Sequence, residues 1–143
     1  MVSQGNFHGE IVALACDAMS LALFELGSIS ERRMDQMLDP TRSGLPAFLA
    51  SNSGLESGLM IVQYSAGSSL AELHGQSAPR TAFSTTTSAG QEDHVSMGAT
   101  AAWNLRVGVR RLSEVLACEL LIASEALEHA SFSSSPHVNG LVQ

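Results

Sequence analysis

Two short stretches gather groups that can do chemistry. Asn6-Phe7-His8-Gly9-Glu10 sets an amide, an aromatic ring, an imidazole and a carboxylate side by side, and Gln91-Glu92-Asp93-His94 repeats the mixture without the ring. Each stands where a polar loop gives way to helix-forming sequence. A helix N-terminus presents unpaired N–H groups and partial positive charge, so it holds carboxylates ionised and can tune them for proton transfer. The plainer role is capping. Acidic residues favour first turns for the dipole alone, Gln91 completes a Ser88-Ala89-Gly90-Gln91 capping box, and a lone phenylalanine is more often core than platform. No cysteine lies near His8 or His94 and no H-x-x-x-H pair occurs, so no metal centre is expected. Serines abound without a G-x-S-x-G elbow, which argues against a nucleophilic triad.

The elements that would position these groups are helical. From 10 to 38 the apolar residues recur at helical spacing: Ile11, Leu14, Ala15, Ala18 and Ala22 form one stripe, which Leu26, Ile29, Met34, Met37 and Leu38 continue. Gly27 is the weak point, costing ~1 kcal/mol against alanine. Asp39-Pro40 ends the helix, because the residue before proline is pushed out of the α region. Ser53-Gly54-Leu55-Glu56 is a capping box that predicts a second helix from there to about 74. Its Gly58, Ser65, Ala66, Gly67 and Ala71 are small enough to admit a close neighbour. A hydroxyl-rich loop follows, since Ser and Thr side chains compete for backbone partners. The second capping box then predicts the longest helix, over 91–130, interrupted but not ended by Gly98 and Gly108. No strand pattern appears. The reading is an all-α, long-helix bundle over 1–130 with a flexible Ser-rich tail over 131–143.

Composition narrows the function. A net charge of -7 argues against nucleic acid, which demands clustered cations. Every cation is arginine, so Schiff-base chemistry and a P-loop lysine are excluded. Cys16 and Cys118 lie in apolar helix-like sequence and read as buried free thiols. Residues 1–4 resemble no signal peptide, and no apolar run is read as long enough to span a bilayer; a cytoplasmic, soluble protein is expected.

The motifs together resemble the histidine ammonia-lyase group of aromatic amino-acid lyases. The stretches "GNFHGE", "FELGSISERRMDQMLDP", "SGLPAFL", "GLESGLMI" and "TSAGQEDHVSMG" come in the family's order and at close to its spacing, from about Gln4 to Glu128. The resemblance implies the central helical core of that fold. It also implies non-oxidative elimination of ammonia from L-histidine to give urocanate, with tyrosine or phenylalanine as alternative substrates, and a homotetramer. By motif position, Phe7 packs on the substrate ring, and Glu92 meets the imidazole or assists proton transfer. Asn6 and Gln91 give polar support. The family's electrophile is 4-methylideneimidazole-5-one, which forms from an Ala-Ser-Gly tripeptide.

The departures carry equal weight. No Ala-Ser-Gly occurs in the sequence; Ser65-Ala66-Gly67-Ser68 has the wrong order. The arginine-bearing segment Y-S-x-R-C-x-P-Q and the tyrosine-bearing loop of the family are also missing. Ile11 replaces a proline, Ala71-Glu72-Leu73-His74 stands for S-E-N-K, Phe83 for an aspartate and Thr86 for a proline. The expectation is a fragment covering roughly the third quarter of a family chain, starting inside an active site and inactive alone. The rival is a non-catalytic helical oligomerisation module using the same surfaces.

Overall fold

The computed structural model describes residues 5–130 and 135–142. Five α-helices follow one another: α1 Glu10–Leu38, α2 Pro40–Ser43, α3 Met60–Gln76, α4 Gly98–His129 and α5 Pro136–Val142. Three single turns of 3-10 helix lie between or before them, at Gly5–His8, Ala47–Leu49 and Ser88–Gly90. Among the described residues there is no strand, only two isolated bridges. The long helices form a three-sided bundle in which α1 packs along α4 and α3 closes on both.

The first helix has the expected bounds. Asp39 ends it in extended backbone, then caps the short α2 by accepting from the Thr41 amide at 2.8 Å. The described part of the tail includes the short helix α5; residues 131–134 lie outside the described ones.

Both capping boxes are unused, and the helices behind them start later. Glu56 turns back to the Asn52 amide at 3.3 Å instead of capping at Ser53. The chain then passes through Gly58 at φ +46, where a Cβ would stand 2.3 Å from the Phe48 carbonyl oxygen. A right-handed helix cannot run through that conformation, so α3 begins at Met60. At the second box, Ser88 and Ala89 adopt left-handed backbone. Thr87 and Glu92 pair instead, the Thr87 amide donating to the Glu92 carbonyl at 2.9 Å. α4 therefore begins at Gly98, seven residues later than the box predicts (98 against 91).

The core gathers Met34, Leu38, Leu49, Ala66, Leu73, Leu112, Val115 and Ile122. The face of α1 that it covers takes only the end of the expected apolar stripe, around Met34 and Leu38, and leaves the rest outside. Ala13, Asp17, Ser20, Gly27, Ser30, Glu31, Met34 and Leu38 are buried, while Ile11, Leu14, Ala15, Ala18 and Ala22 are exposed. The helix is apolar nearly all round, so periodicity cannot choose its inner face. Polar bonds make the choice. Ser30 donates to Glu119 of α4 at 2.6 Å, Arg33 clamps the same carboxylate, and Gln63 of α3 donates to Glu31 at 3.1 Å. Arg33 holds the Glu119 carboxyl below its ordinary range, outweighing burial, with Ser30 assisting.

Gly27 and Gly108 leave room for neighbouring leucines, Leu73 of α3 at Gly27 and both Leu23 of α1 and Leu73 at Gly108. A Cβ on Gly27 would lie 3.2 Å from one Leu73 methyl, and one on Gly108 would lie 3.7 Å from the other. Of the small residues of α3, Ala66 is fully buried in the core between the helices, whereas nothing would lie within 4 Å of a Cβ on Gly67. Both cysteines are free but half-buried rather than buried. By length and composition α1 is apolar enough to cross a bilayer, with a mean hydropathy of 1.6 in an 18-residue window, contrary to the sequence expectation. Its inner face carries Asp17 and Glu31, each hydrogen-bonded to another element, as in a core helix.

Candidate functional site

The two chemistry-bearing stretches meet at one end of the bundle. Ser96 is the joint. Its hydroxyl donates to the His8 carbonyl oxygen at 2.5 Å and accepts from the Gly98 amide at 3.1 Å. One side chain thus satisfies the start of α4 and ties it to the turn before α1. Beside it, His94 Nε2 lies 3.4 Å from Glu10 Oε2, in the first turn of α1. Ser96 is 6 % exposed and carries the contact between the motifs, yet sequence reasoning passed over it. Its signal was its position two residues before Gly98, where a short hydroxyl can reach an orphan amide.

The expected site residues divide. Asn6 sits exposed in the 3-10 turn. Phe7 belongs to the same turn, but its side chain lies outside the described residues. Gln91 is exposed; it ends the 3-10 turn Ser88–Gly90 and does not cap α4. Glu92 does not open a helix either. It sits six residues before α4, half-buried, with Oε2 accepting from the Thr87 hydroxyl at 3.3 Å. The helix dipole that would hold its carboxylate ionised is therefore not at its side.

The loop over 77–97, which carries Glu92, is pinned by buried polar groups. Asp17 Oδ2, on the inner face of α1, accepts from the Thr81 amide at 2.9 Å. Arg80 donates to Asn104 Oδ1 at 2.8 Å, and Asn104 donates onward to the Gln76 carbonyl at 2.7 Å. Ser84 both donates to and accepts from the Val95 backbone, at 3.1 and 3.0 Å. Burial pushes the Asp17 carboxyl up, but hydrogen bonds from Thr81 and Arg80, with the nearby Arg80 charge, carry it below its ordinary value.

That direction sets a pH dependence. A carboxyl depressed in the folded state stabilises the fold above its unfolded value, about 3.9, and the contribution is lost as pH falls through the folded one. Asp17→Asn is expected to cost ~1.5–3 kcal/mol at neutral pH, in the range of one charge-assisted bond. The difference between the two proteins should shrink steadily as acid is added below pH ~4. Chemical-denaturation curves across that range measure it; a pH-independent difference would refute the role of charge.

The meeting point is one wall and not an enclosed cavity, with Asn6, Gln91, Asp93 and His94 all exposed. Among the described residues no three His, Cys, Asp or Glu side chains gather in a way that could hold a metal ion. A groove of 640 Å³, lined by Phe48, Met60, Gln63, Tyr64, Gly67 and Ser68, contains no residue of either motif.

Comparison with known proteins gives the family. A family model described as aromatic amino acid lyase matches residues 1–143. A histidine ammonia-lyase of Symbiobacterium thermophilum is 51% identical over 128 residues, which cover 90% of this chain and 25% of the relative. A crystal structure of histidine ammonia-lyase from Trypanosoma cruzi superposes with a TM-score of 0.91 at 40% identity, covering 99% of this chain and 28% of that one. The phenylalanine aminomutase of Pantoea agglomerans gives the same TM-score, 0.91, at 34% identity, with the same coverage. The chain spans about a quarter of the length of the curated relatives it matches.

Proposed function

Because the chain belongs to the aromatic amino acid lyase family, we propose that it supplies core helices and one pocket wall of a histidine-ammonia-lyase-like enzyme. The reaction of such an enzyme is elimination of ammonia from L-histidine to give urocanate. The meeting of the two motif stretches, through Ser96 with His8 and His94 with Glu10, supports this reading, because the resemblance puts residues of both stretches at the substrate. In the complete site Glu92 contacts the substrate imidazole or moves a proton, and Phe7 packs on the ring. Asn6 and Gln91 orient polar groups around them. Similarity to a phenylalanine aminomutase keeps phenylalanine, and tyrosine with it, as alternative substrates.

The family's methylideneimidazolone supplies the electrophile that lets the amino group leave. The residues here do not fit its formation. No Ala-Ser-Gly occurs, and Ser65-Ala66-Gly67-Ser68 is wound into α3 with the Ser65 hydroxyl bonded to the Ile61 carbonyl at 3.2 Å. No catalytic step is assigned to this chain alone.

Large apolar side chains stay exposed on every long helix, among them Ile11, Val12, Tyr64, Trp103 and Leu120 at more than half. Surfaces of that kind mark interfaces. We therefore read the chain as an assembling one, a homo-oligomer and by resemblance a tetramer; this also serves the rival reading of a non-catalytic assembly module. Co-expression with the remaining part of a histidine ammonia-lyase, Ala-Ser-Gly included, separates the two. A co-purifying complex that makes urocanate supports the enzymatic reading. Self-association of the chain with no capture of the complementary part supports the module and overturns the enzymatic reading.

A further inference from the structure

Glu92 is held by its own loop and not by a helix. Its described side-chain bond goes to Thr87. Its backbone pairs with the same residue in both directions: the Thr87 amide donates to the Glu92 carbonyl at 2.9 Å, and the Glu92 amide donates to the Thr87 carbonyl at 3.3 Å. Further out, the Ser84 hydroxyl donates to the Val95 carbonyl and accepts from the Val95 amide. Residues 84–95 thus form a closed unit, tied to itself at two levels. Its described polar contact with a helix, His94 to Glu10 at 3.4 Å, is long, and His94 is more than half exposed. The place of Glu92 is therefore inherited from the two limbs on which this unit stands.

One limb ends at Ser96, bound to the His8 carbonyl and the Gly98 amide. The other ends at Arg80 and Thr81. There the Thr81 amide donates to Asp17 of α1, and Arg80 donates to Asn104 of α4 at 2.8 Å. The same Arg80 nitrogen, Nη2, lies 3.5 Å from the Gly75 carbonyl in the last turn of α3, where the helix dipole favours a cation. Asn104 is 7% exposed, and both ends of its amide are engaged: Oδ1 accepts from Arg80 while Nδ2 donates to the Gln76 carbonyl. Without Arg80 the buried Oδ1 loses its partner, so guanidinium and amide hold each other in one arrangement. Every contact of this anchor is made within the chain, between buried or half-buried groups. We propose that Arg80 is a positioning residue: clamped between Asn104 and the end of α3, it fixes the 84–95 unit against the bundle and so places the Glu92 carboxylate for substrate. The proposal rests on the enzymatic reading above and adds the residue that holds Glu92 in place.

Hydrogen exchange on the 143-residue chain reads the anchor. Arg80→Met removes the cation and keeps an apolar stem. Arg80→Lys keeps a donor, and a single ammonium can stand in for the one nitrogen in use. In Arg80→Met the amides of Thr81, Thr87, Glu92 and Val95 should exchange about tenfold faster than in the parent, with those of α1 and α4 unchanged. Arg80→Lys should restore most of the protection. Unchanged loop amides, or a rise spread equally over the long helices, overturns the anchor. The complex reconstituted with the complementary part of a histidine ammonia-lyase reads the consequence. Arg80→Met should lower kcat/KM for L-histidine about tenfold, as misplacement of a reacting group does. With Glu92→Gln already present the same change should cost less than about twofold, because the group it places is gone. Equal losses in the two backgrounds overturn the positioning role. A complex that is inactive even with the parent chain overturns the enzymatic reading and, with it, the catalytic consequence; the exchange result then still upholds or overturns the anchor.

Discussion

Pure 143-residue chain incubated with L-histidine is expected to give no urocanate above a blank, by absorbance, at any enzyme concentration. The sequence contains no Ala-Ser-Gly, so the electrophile has no source within it. Asn6 and Gln91 are exposed, which leaves any bound amino acid beside them hydrated and unoriented. Both deficits concern the largest contributions to catalysis, a preorganised charge environment and a held geometry. Reproducible turnover by the highly purified chain would refute the proposed division of labour. In a complex reconstituted with the complementary part, Glu92→Gln should lower turnover by ~100-fold or more, as loss of a proton-transferring group does. The same change should move the isolated chain's melting little, since the carboxylate's one described side-chain bond is a 3.3 Å contact with Thr87. Full activity of the variant complex would remove Glu92 from the chemistry.

Leu73→Ala is expected to cost ~2–5 kcal/mol in urea denaturation, the range for a buried leucine whose space cannot fully collapse. Leu73 is 1% exposed and reaches both Gly27 of α1 and Gly108 of α4, so its loss opens a void where all three long helices meet. A double-mutant cycle gives the sharper reading. Gly27→Ala alone should destabilise, because its new methyl would stand 3.2 Å from Leu73 and 3.3 Å from Leu70. In the Leu73→Ala background the same methyl loses its closest neighbour, keeps Leu70 beside it and adds helix propensity, so its cost should fall clearly below that in the parent. Additive costs would mean that Leu73 is not seated on Gly27.

Much of the architecture was legible in the residue order. The proline after Asp39 and the unbroken helix formers before it define α1 to the residue, because these are local effects of sterics and propensity. The absence of strand patterning and the existence of α3 and α4 follow from the same local rules. The motif stretches, quoted in order, were enough to point to the lyase family that the comparison with known proteins then showed.

Tertiary structure decided where helices start, which face is inside and what joins the motifs. Two capping boxes lost to backbone that other segments impose: Gly58 turns left-handed under the Phe48 carbonyl, and Thr87 pairs with Glu92. Local capping is worth ~1 kcal/mol, which long-range packing readily exceeds. On α1 apolar residues lie on every side, so composition alone could not say that Asp17 and Gly27 point inward while Met19 and Ala22 point out. Partners far along the chain made that choice: Thr81 for Asp17, Leu73 for Gly27, Glu119 for Ser30. Sequence spelled out which elements and chemistry the chain carries, because those depend on neighbours. Orientation depends on contacts between residues dozens of positions apart, and only the folded bundle supplies them.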